Sequence, residues 1–263
     1  MIGDRLGRKV IVVGEGSTQA VDLVGPASAG FHEISAMGID AKRGDLWVAS
    51  AAAAGGAGAL HRLQLVSGRP LRSFPFATDL EPVERIDLAI GAAGSVFVLD
   101  SVNRQVLELR AGSTSLERLV QIDAQEPVSL TVGDDEGIAY VAHRDGVSRI
   151  DLRARTATLV TAPNEVSLAR LERIRWHRRA LIAVAVDEDG SRRISRLELN
   201  ASGTAVTRVT TLETSVPIDG QTFVTVSGDE LVYLVAGSGN AAGRSSADSP
   251  GPSEFVAYRV GLR

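Results

Sequence analysis

The stretch Val96 to Leu109, VFVLDSVNRQVLEL, decides the fold, because its pattern returns without gaps at Val10 to Leu23 and at Ala139 to Leu152. The first copy begins 86 residues before it and the second 43 after it, so one interval is twice the other. A period of about 43 residues suits the four strands and turns of one propeller blade. The expected fold is therefore all-β, a six-bladed β-propeller built from antiparallel four-stranded blades.

Working outward, AMGIDAKRGDLWVAS aligns with IDLAIGAAGSVFVLD at a lag of 50, placing Gly44 on Gly94, Leu46 on Val96, Val48 on Val98 and Ser50 on Asp100. The segment Ala51 to Ala59, AAAAGGAGA, accounts for most of the extra length. Its glycines argue for an enlarged loop and against a helix. Further units read VSLTVGDDEGIAYVAHRDGVSRIDL, LERIRWHRRALIAVAVDEDGSRRISRLEL and FVTVSGDELVYLVAGSG with EFVAYRV, giving six hairpins of the same type. The first unit reads as lacking its opening strand, a gap that IGDRL fills in part, and the last as lacking its closing one. Runs such as VIVV, VFVL, LIAVAV and LVYLV are apolar on both alternating faces, as in a sheet covered on each side. Radially packed blades supply that cover; a sandwich leaves one face in water. Val98 is expected to be buried in its blade, with Val12, Val48 and Val141 at equivalent places.

A chain of 263 residues accommodates one large all-β domain, taken here as residues 1–263. Its 28 Lys and Arg against 32 Asp and Glu leave a net charge of −4, which attracts neither nucleic acid nor an anionic membrane surface over distance. Without cysteine there is no disulfide, thiolate nucleophile or Cys-ligated zinc. The apolar run near the N-terminus is too short for a signal-peptide core or a membrane span. The expectation is a soluble monomer, either cytoplasmic or exported with its signal removed.

Loop length picks a functional face. The turns between first and second strands are tight (AKRGD, GAAGS, GDDEG, SGDE), whereas the long insertions at Ala51 to Ala59 and Gly237 to Ser253 both join second to third strands. Long loops on a rigid scaffold are where binding residues concentrate. Beside them, the links between blades carry Glu33, Glu84, Glu126 and Asp219, carboxylates expected to converge on the central funnel. Like charges brought together are solvated, paired with cations or bound to metal. Arg85, Arg170 and Arg173 are the expected partners; calcium or magnesium is the cofactor that oxygen ligands suit. Asn103 reaches towards the same funnel. His143, at the position of Asp100, is a candidate base there, although no triad spacing surrounds it and a polar loop role fits it too. In RLERIRWHRR, Arg170 to Arg179, a strand would place Arg173, Arg175 and His177 on one face, able to attract an anionic ligand. The plainer reading is a surface charge run, with Arg175 answering an acidic neighbour.

The segments FVLDSVNRQVLEL and GIDAKRGDLWVAS resemble NHL-type repeats and the blades of SMP-30/gluconolactonase-like propellers. The second resemblance implies a divalent metal in the funnel and lactone or ester hydrolysis by metal-activated water. In that family an acidic residue stands where this chain has Ser35. Asp219-Gly220 offers a substitute, and Glu15, in GEG, looks like the family's early metal-binding Glu, without the Trp that should follow it. Two functions fit: a non-catalytic NHL-like scaffold presenting its loop-rich face to a protein, peptide or glycan, which is favoured, and a metal-dependent lactonase or esterase.

Overall fold

Each repeat folds as an antiparallel sheet whose strands follow one another in chain order. The structure, a computed structural model, describes residues 1–262 apart from residues 6, 15 and 18 and the segments 52–57, 77–85, 135–136, 217–222 and 237–254. By its internal contacts the chain divides into two units, Met1–Leu159 and Val160–Arg263.

In the first unit, β1 (Ile2–Asp4), β2 (Lys9–Val13) and β3 (Ala20–Val24) form the first sheet, followed by a single helical turn, α1 (Pro26–Ala29). The second sheet is β4 (Ile34–Asp40), β5 (Asp45–Ser50), β6 (Ala59–Gln64) and β7 (Pro70–Pro75). The third is β8 (Ile86–Ile90), β9 (Val96–Asp100), β10 (Gln105–Leu109) and β11 (Glu117–Gln121). The fourth is β12 (Ser129–Val132), β13 (Ile138–His143), β14 (Gly146–Asp151) and β15 (Thr156–Leu159). The second unit holds a fifth sheet of β16 (Leu171–His177), β17 (Ala180–Val186), β18 (Arg192–Leu199) and β19 (Val206–Val216). A sixth comprises β20 (Phe223–Ser227), β21 (Glu230–Ala236) and β22 (Phe255–Gly261). The six sheets are the blades of a six-bladed β-propeller.

Two details depart from the sequence reading. The first sheet does have its opening strand: Ile2 to Asp4 pair with Ile11 to Lys9. What it lacks among the described residues is a fourth strand, so the first and last sheets have three strands and the other four have four. Val48, Val98 and Val141 are fully buried, as expected, but Val12 is only partly so. It pairs with Val21 on β3, which is 66 % exposed at the open edge of that sheet.

Burial on both faces explains the apolar runs. All five residues of β9 are buried, because its two faces pack against different neighbours. Val96 and Val98 join Trp47, Leu60, Phe74 and Leu88 in one cluster, while Phe97 and Leu99 join Leu130, Val141 and Ile150 in another. In the second unit Ile182, Val184 and Ile194 of the fifth sheet pack with Leu231 and Tyr233 of the sixth.

The turns are held by side chains as well as by backbone geometry. Buried Asp40 accepts the Arg43 N–H at 3.1 Å and the Arg43 Nη1 at 3.0 Å, and the same guanidinium donates to Ala92 O in the corresponding turn of the third sheet. That turn carries Gly94 at φ 95°, a left-handed conformation that favours glycine, with the Arg43 guanidinium packed against it. Arg178 and Arg179, the two-residue turn between β16 and β17, have φ of 46° and 60°. Arg8, Arg104, Arg155 and Arg170 share this left-handed conformation. Among the described residues no helix is long and apolar enough to cross a membrane.

Candidate functional site

In the second, third and fourth sheets the last position of the second strand is a polar residue closing an apolar run: Ser50 on β5, Asp100 on β9 and His143 on β13, all buried. Polar atoms hidden from water need partners, and each of the three finds them at the connection to the third strand. Asp100 accepts the Asn103 N–H at 3.0 Å, Asn103 Nδ2 at 2.8 Å and Gln105 Nε2 at 3.0 Å. Ser50 Oγ lies 2.9 Å from His61 Nε2, and His61 Nδ1 lies 2.8 Å from Ser73 Oγ. His143 Nε2 lies 3.1 Å from Ser148 Oγ, while the Asp145 N–H donates to His143 Nδ1 at 3.3 Å, which leaves Nε2 as the nitrogen bearing the proton.

His61 faces Val48 across the β5–β6 pair, and Ser148 faces Val141 across β13–β14. Val48 and Val141 are repeat equivalents, so serine and histidine have exchanged places between the two blades while keeping the same hydrogen bond. Burial lowers the pKa of His61 to about 4, with the charge of His32 adding to the effect. Burial also lowers that of His143, partly opposed by Asp145. Both rings are neutral at neutral pH. A base as weak as His61 is poorly matched to proton abstraction there, and its two hydroxyl partners hold it in place.

The link leading into the second sheet rests on this cluster. Phe31 meets the His61 ring edge-on at 5.0 Å, and the Ala51 N–H donates to Glu33 O at 2.8 Å. Glu33 itself is ion-paired with Arg5 at 2.8 Å. In the fourth sheet the Arg144 N–H donates to Gln125 O at 3.1 Å, and the Arg144 guanidinium lies 3.3 Å from Glu126. The arginines that answer Glu33 and Glu126 are thus Arg5 and Arg144, and among the described residues neither Arg170 nor Arg173 pairs with these two. The reason is local: the connection between second and third strands packs on the link entering the same blade, bringing Arg144 against Glu126, and β1 delivers Arg5 to Glu33. Both pairs are largely exposed, at 44 % for Glu33 and 64 % for Glu126, so each contributes about 1 kcal/mol or less. Glu84, Asp219, Arg85 and Glu15 lie outside the described residues.

Asn103 caps Asp100 in its turn and also receives Gln121 Nε2 at its carbonyl, 2.9 Å away. His143 is 3 % exposed at the end of a strand, which corrects its reading as a loop residue or as an open base. Arg173, Arg175 and His177 do alternate along one face of β16, beyond a register shift next to Leu171. Around them the charges are answered within the second unit. Asp229 takes His177 Nε2 at 3.1 Å and Arg178 at 2.8 Å, Arg196 Nη1 donates to His177 Nδ1 at 2.9 Å, and Arg175 donates to Ile174 O. Among the described residues no group of three or more His, Asp or Glu is placed to hold a metal ion.

Sequence reasoning missed two clusters. One is Ser50, His61 and Ser73; aligning Ser50 with His143 hints at a polar slot, but the partner depends on hairpin register. The other is Asp87, buried on β8, which accepts Ser129 Oγ and the Leu130 N–H of β12, each at 2.9 Å, and the Leu88 N–H at 3.0 Å. It ties the third sheet to the fourth. Its place inside the apolar run IDLAI was the available signal.

No protein-family model matches the chain, and no curated protein matches it. Solved structures do. The chain is similar to a structure of the nidogen/laminin complex at TM-score 0.62 and 16 % identity, covering 86 % of this chain and 82 % of that one. A functionally unknown protein from Desulfotomaculum acetoxidans matches at TM-score 0.61 and 12 % identity, covering 88 % and 74 %. Catalytically inactive H270A virginiamycin B lyase from Staphylococcus aureus, with quinupristin, matches at TM-score 0.58 and 13 % identity, covering 87 % and 71 %. These are six-bladed β-propellers, in keeping with the NHL and SMP-30-like resemblance, and at these identities the likeness shows the fold alone.

Proposed function

We propose that the chain is a non-catalytic binding scaffold of the NHL kind, engaging a protein, peptide or glycan through the connections between second and third strands and the links beside them. One observation carries this reading: Glu33 and Glu126 are each answered by an arginine, at 2.8 and 3.3 Å, as the carboxylates of a binding rim would be. That one neighbour in fold is described in a complex with laminin adds support of a general kind. The mixed activities of the fold's neighbours mean that fold carries no reaction with it.

The alternative, a calcium- or magnesium-dependent lactonase or esterase, gives the discriminating experiment. Purified protein is titrated with calcium chloride and with magnesium chloride while its melting temperature is followed, and a panel of lactones and aryl esters is assayed in parallel. The scaffold reading expects no saturable metal-dependent rise in melting temperature and no turnover above buffer. Saturable stabilisation that is abolished by Asp219→Ala, together with lactone turnover, overturns it.

A further inference from the structure

Glu126 stands in a backbone conformation that its neighbours must enforce. Its φ of 52° lies in the left-handed region, where a side chain other than glycine is strained, and it precedes Pro127, which pushes the residue before it towards extended backbone. Among the described residues it is the only left-handed position, glycines aside, that is followed by proline. Three contacts hold it there. The Arg144 N–H donates to Gln125 O at 3.1 Å, Arg144 Nη1 donates to Glu126 Oε1 at 3.3 Å, and beyond Pro127 the Val128 N–H donates to Ala142 O at 2.8 Å.

Two of the three come from Arg144, whose own turn is weakly determined. It joins β13 to β14 with Asp145 as its only other residue, and His143 faces Gly146 across the pair. Neither turn residue has a positive φ, so the turn is not of the kind whose twist suits a two-residue hairpin best. The His143 ring braces it. Nδ1 accepts the Asp145 N–H at 3.3 Å, and Nε2 donates to Ser148 Oγ at 3.1 Å. A chain of contacts thus runs from a buried imidazole, through a two-residue turn, to a strained residue on the rim.

The ring makes both bonds only while it is neutral. A second proton belongs on Nδ1, where it replaces an acceptor by a donor and sets it against the Asp145 N–H. Two hydrogens cannot share that space, so the turn must move for the ring to be charged. Burial opposes the charge and holds the ring's pKa below its ordinary 6.5, while Asp145 acts the other way. Other charged groups nearby are occupied or turned aside. Asp87 on the third sheet is taken by Ser129 and Leu130, and Arg144 and Glu126 answer each other. Arg149 and Asp151 of β14 alternate onto the opposite face, and Asp123, in the link, is exposed. The Asp145 carboxylate is therefore the group placed to receive the new N–H once its own amide has swung away.

We propose that His143 is an acid-operated latch on the rim: a proton taken up at Nδ1 displaces the Asp145 N–H, the Arg144 turn lets go of Gln125 and Glu126, and the link relaxes to extended backbone. Above pH 6.5 the latch is closed, and it opens as the pH falls through the lowered value of the folded ring. Opening takes the arginine from Glu126 and moves a carboxylate on the face assigned to the ligand, so a ligand held at neutral pH is released in acid. This deepens the scaffold reading, and its regulatory meaning rests on that reading; the latch itself is observable in the free protein.

The test follows the whole, ligand-free chain by NMR from about pH 7.5 to about pH 4.5, reading the His143 ring shifts and amide exchange corrected for its intrinsic pH dependence. The expected result is a His143 midpoint below 6.5, with the Gln125 and Glu126 amide shifts following it. Across that midpoint, protection of the Arg144 amide falls about tenfold or more, while Val128, bonded to Ala142 O on the same link, keeps its protection. His143→Gln should abolish the change. Should that variant fail to fold, Arg144→Ala carries the test: His143 and the Asp145 amide still titrate together, but Gln125 and Glu126 no longer follow. A ring that stays neutral until the protein unfolds, an Arg144 amide indifferent to the ring, or loss of protection at Val128 at the same midpoint overturns the proposal. So does an unchanged profile in His143→Gln, or Gln125 and Glu126 shifts that still follow the ring in Arg144→Ala. Each of these leaves the scaffold reading standing, whereas metal-supported lactone turnover removes that reading and leaves the latch in the free protein, so the two fail separately.

Discussion

The third and sixth sheets contain second strands of similar apolar character, VFVLD and ELVYLVA, yet they have different fates. In β9 every residue is buried; in the sixth sheet Val232 and Leu234 on one face of β21 stay partly exposed while Leu231 and Tyr233 on the other are hidden. The third sheet has packed neighbours on both faces and a fourth strand along its edge, whereas the described contacts of the sixth cover one face. What a residue contributes to stability therefore depends on the cover its sheet receives more than on its own hydrophobicity.

The sharpest way to break this comparison is to place the same charge in both sheets. Val98→Asp should destabilise by about 4 kcal/mol, because an unpaired carboxylate would be desolvated between sheets. Val256→Asp, at a position 50 % exposed, should change stability by about 0.5 kcal/mol or less. Urea denaturation of both variants measures this, and equal losses would refute the argument from cover.

Next in size is the carboxylate that joins the third sheet to the fourth. Asp87→Ala leaves the Leu130 N–H and the Ser129 hydroxyl without their shared acceptor, at a cost of about 3 kcal/mol. Asp87→Asn, which keeps an acceptor, should lose less. If the two variants unfold at the same urea concentration, charge and not hydrogen bonding holds that junction.

The smallest effect concerns pH. Unfolded His61 takes up a proton near pH 6.5, but the folded ring does so only near 4, because burial and the nearby His32 oppose its charge. The stability contributed by the neutral ring is complete above pH 6.5 and is lost as the pH falls towards 4. This amounts to at most about 3 kcal/mol. The loss of stability between pH 7 and pH 4.5 should be smaller in His61→Gln than in wild type, since the carboxylates common to both cancel in the difference. An identical pH profile would show that His61 titrates as though exposed.

Much of the fold was legible because a repeat multiplies weak signals: the alignment of Leu46, Val48 and Ser50 with Val96, Val98 and Asp100 needs no single residue to be decisive. Strand β1 was legible only as the candidate segment IGDRL, because three residues, IGD, show no periodicity and its existence depends on pairing with Lys9 to Ile11. The site was harder to read for a related reason. Ser50 and His143 could be aligned, but whether His61 or Ser148 faces them depends on a connection eight residues long in one blade and two in the other. Arg144 and Arg5 were missed as partners because adjacency between a turn and the link beneath it is a fact of packing that sequence distance does not report.

The left-handed arginines have a consequence for the lifetime of the molecule. Turns such as Arg178-Arg179 are usually filled by asparagine and glycine, which accept positive φ more readily. A left-handed arginine costs about 1 kcal/mol relative to glycine. In exchange, its side chain cannot cyclise onto the backbone and deamidate, as asparagine before glycine does when warm, and fewer such labile residues are a mark of heat-adapted proteins. The five turns that hold the six left-handed arginines among the described residues are thus points at which this scaffold gives up a little equilibrium stability and resists chemical ageing.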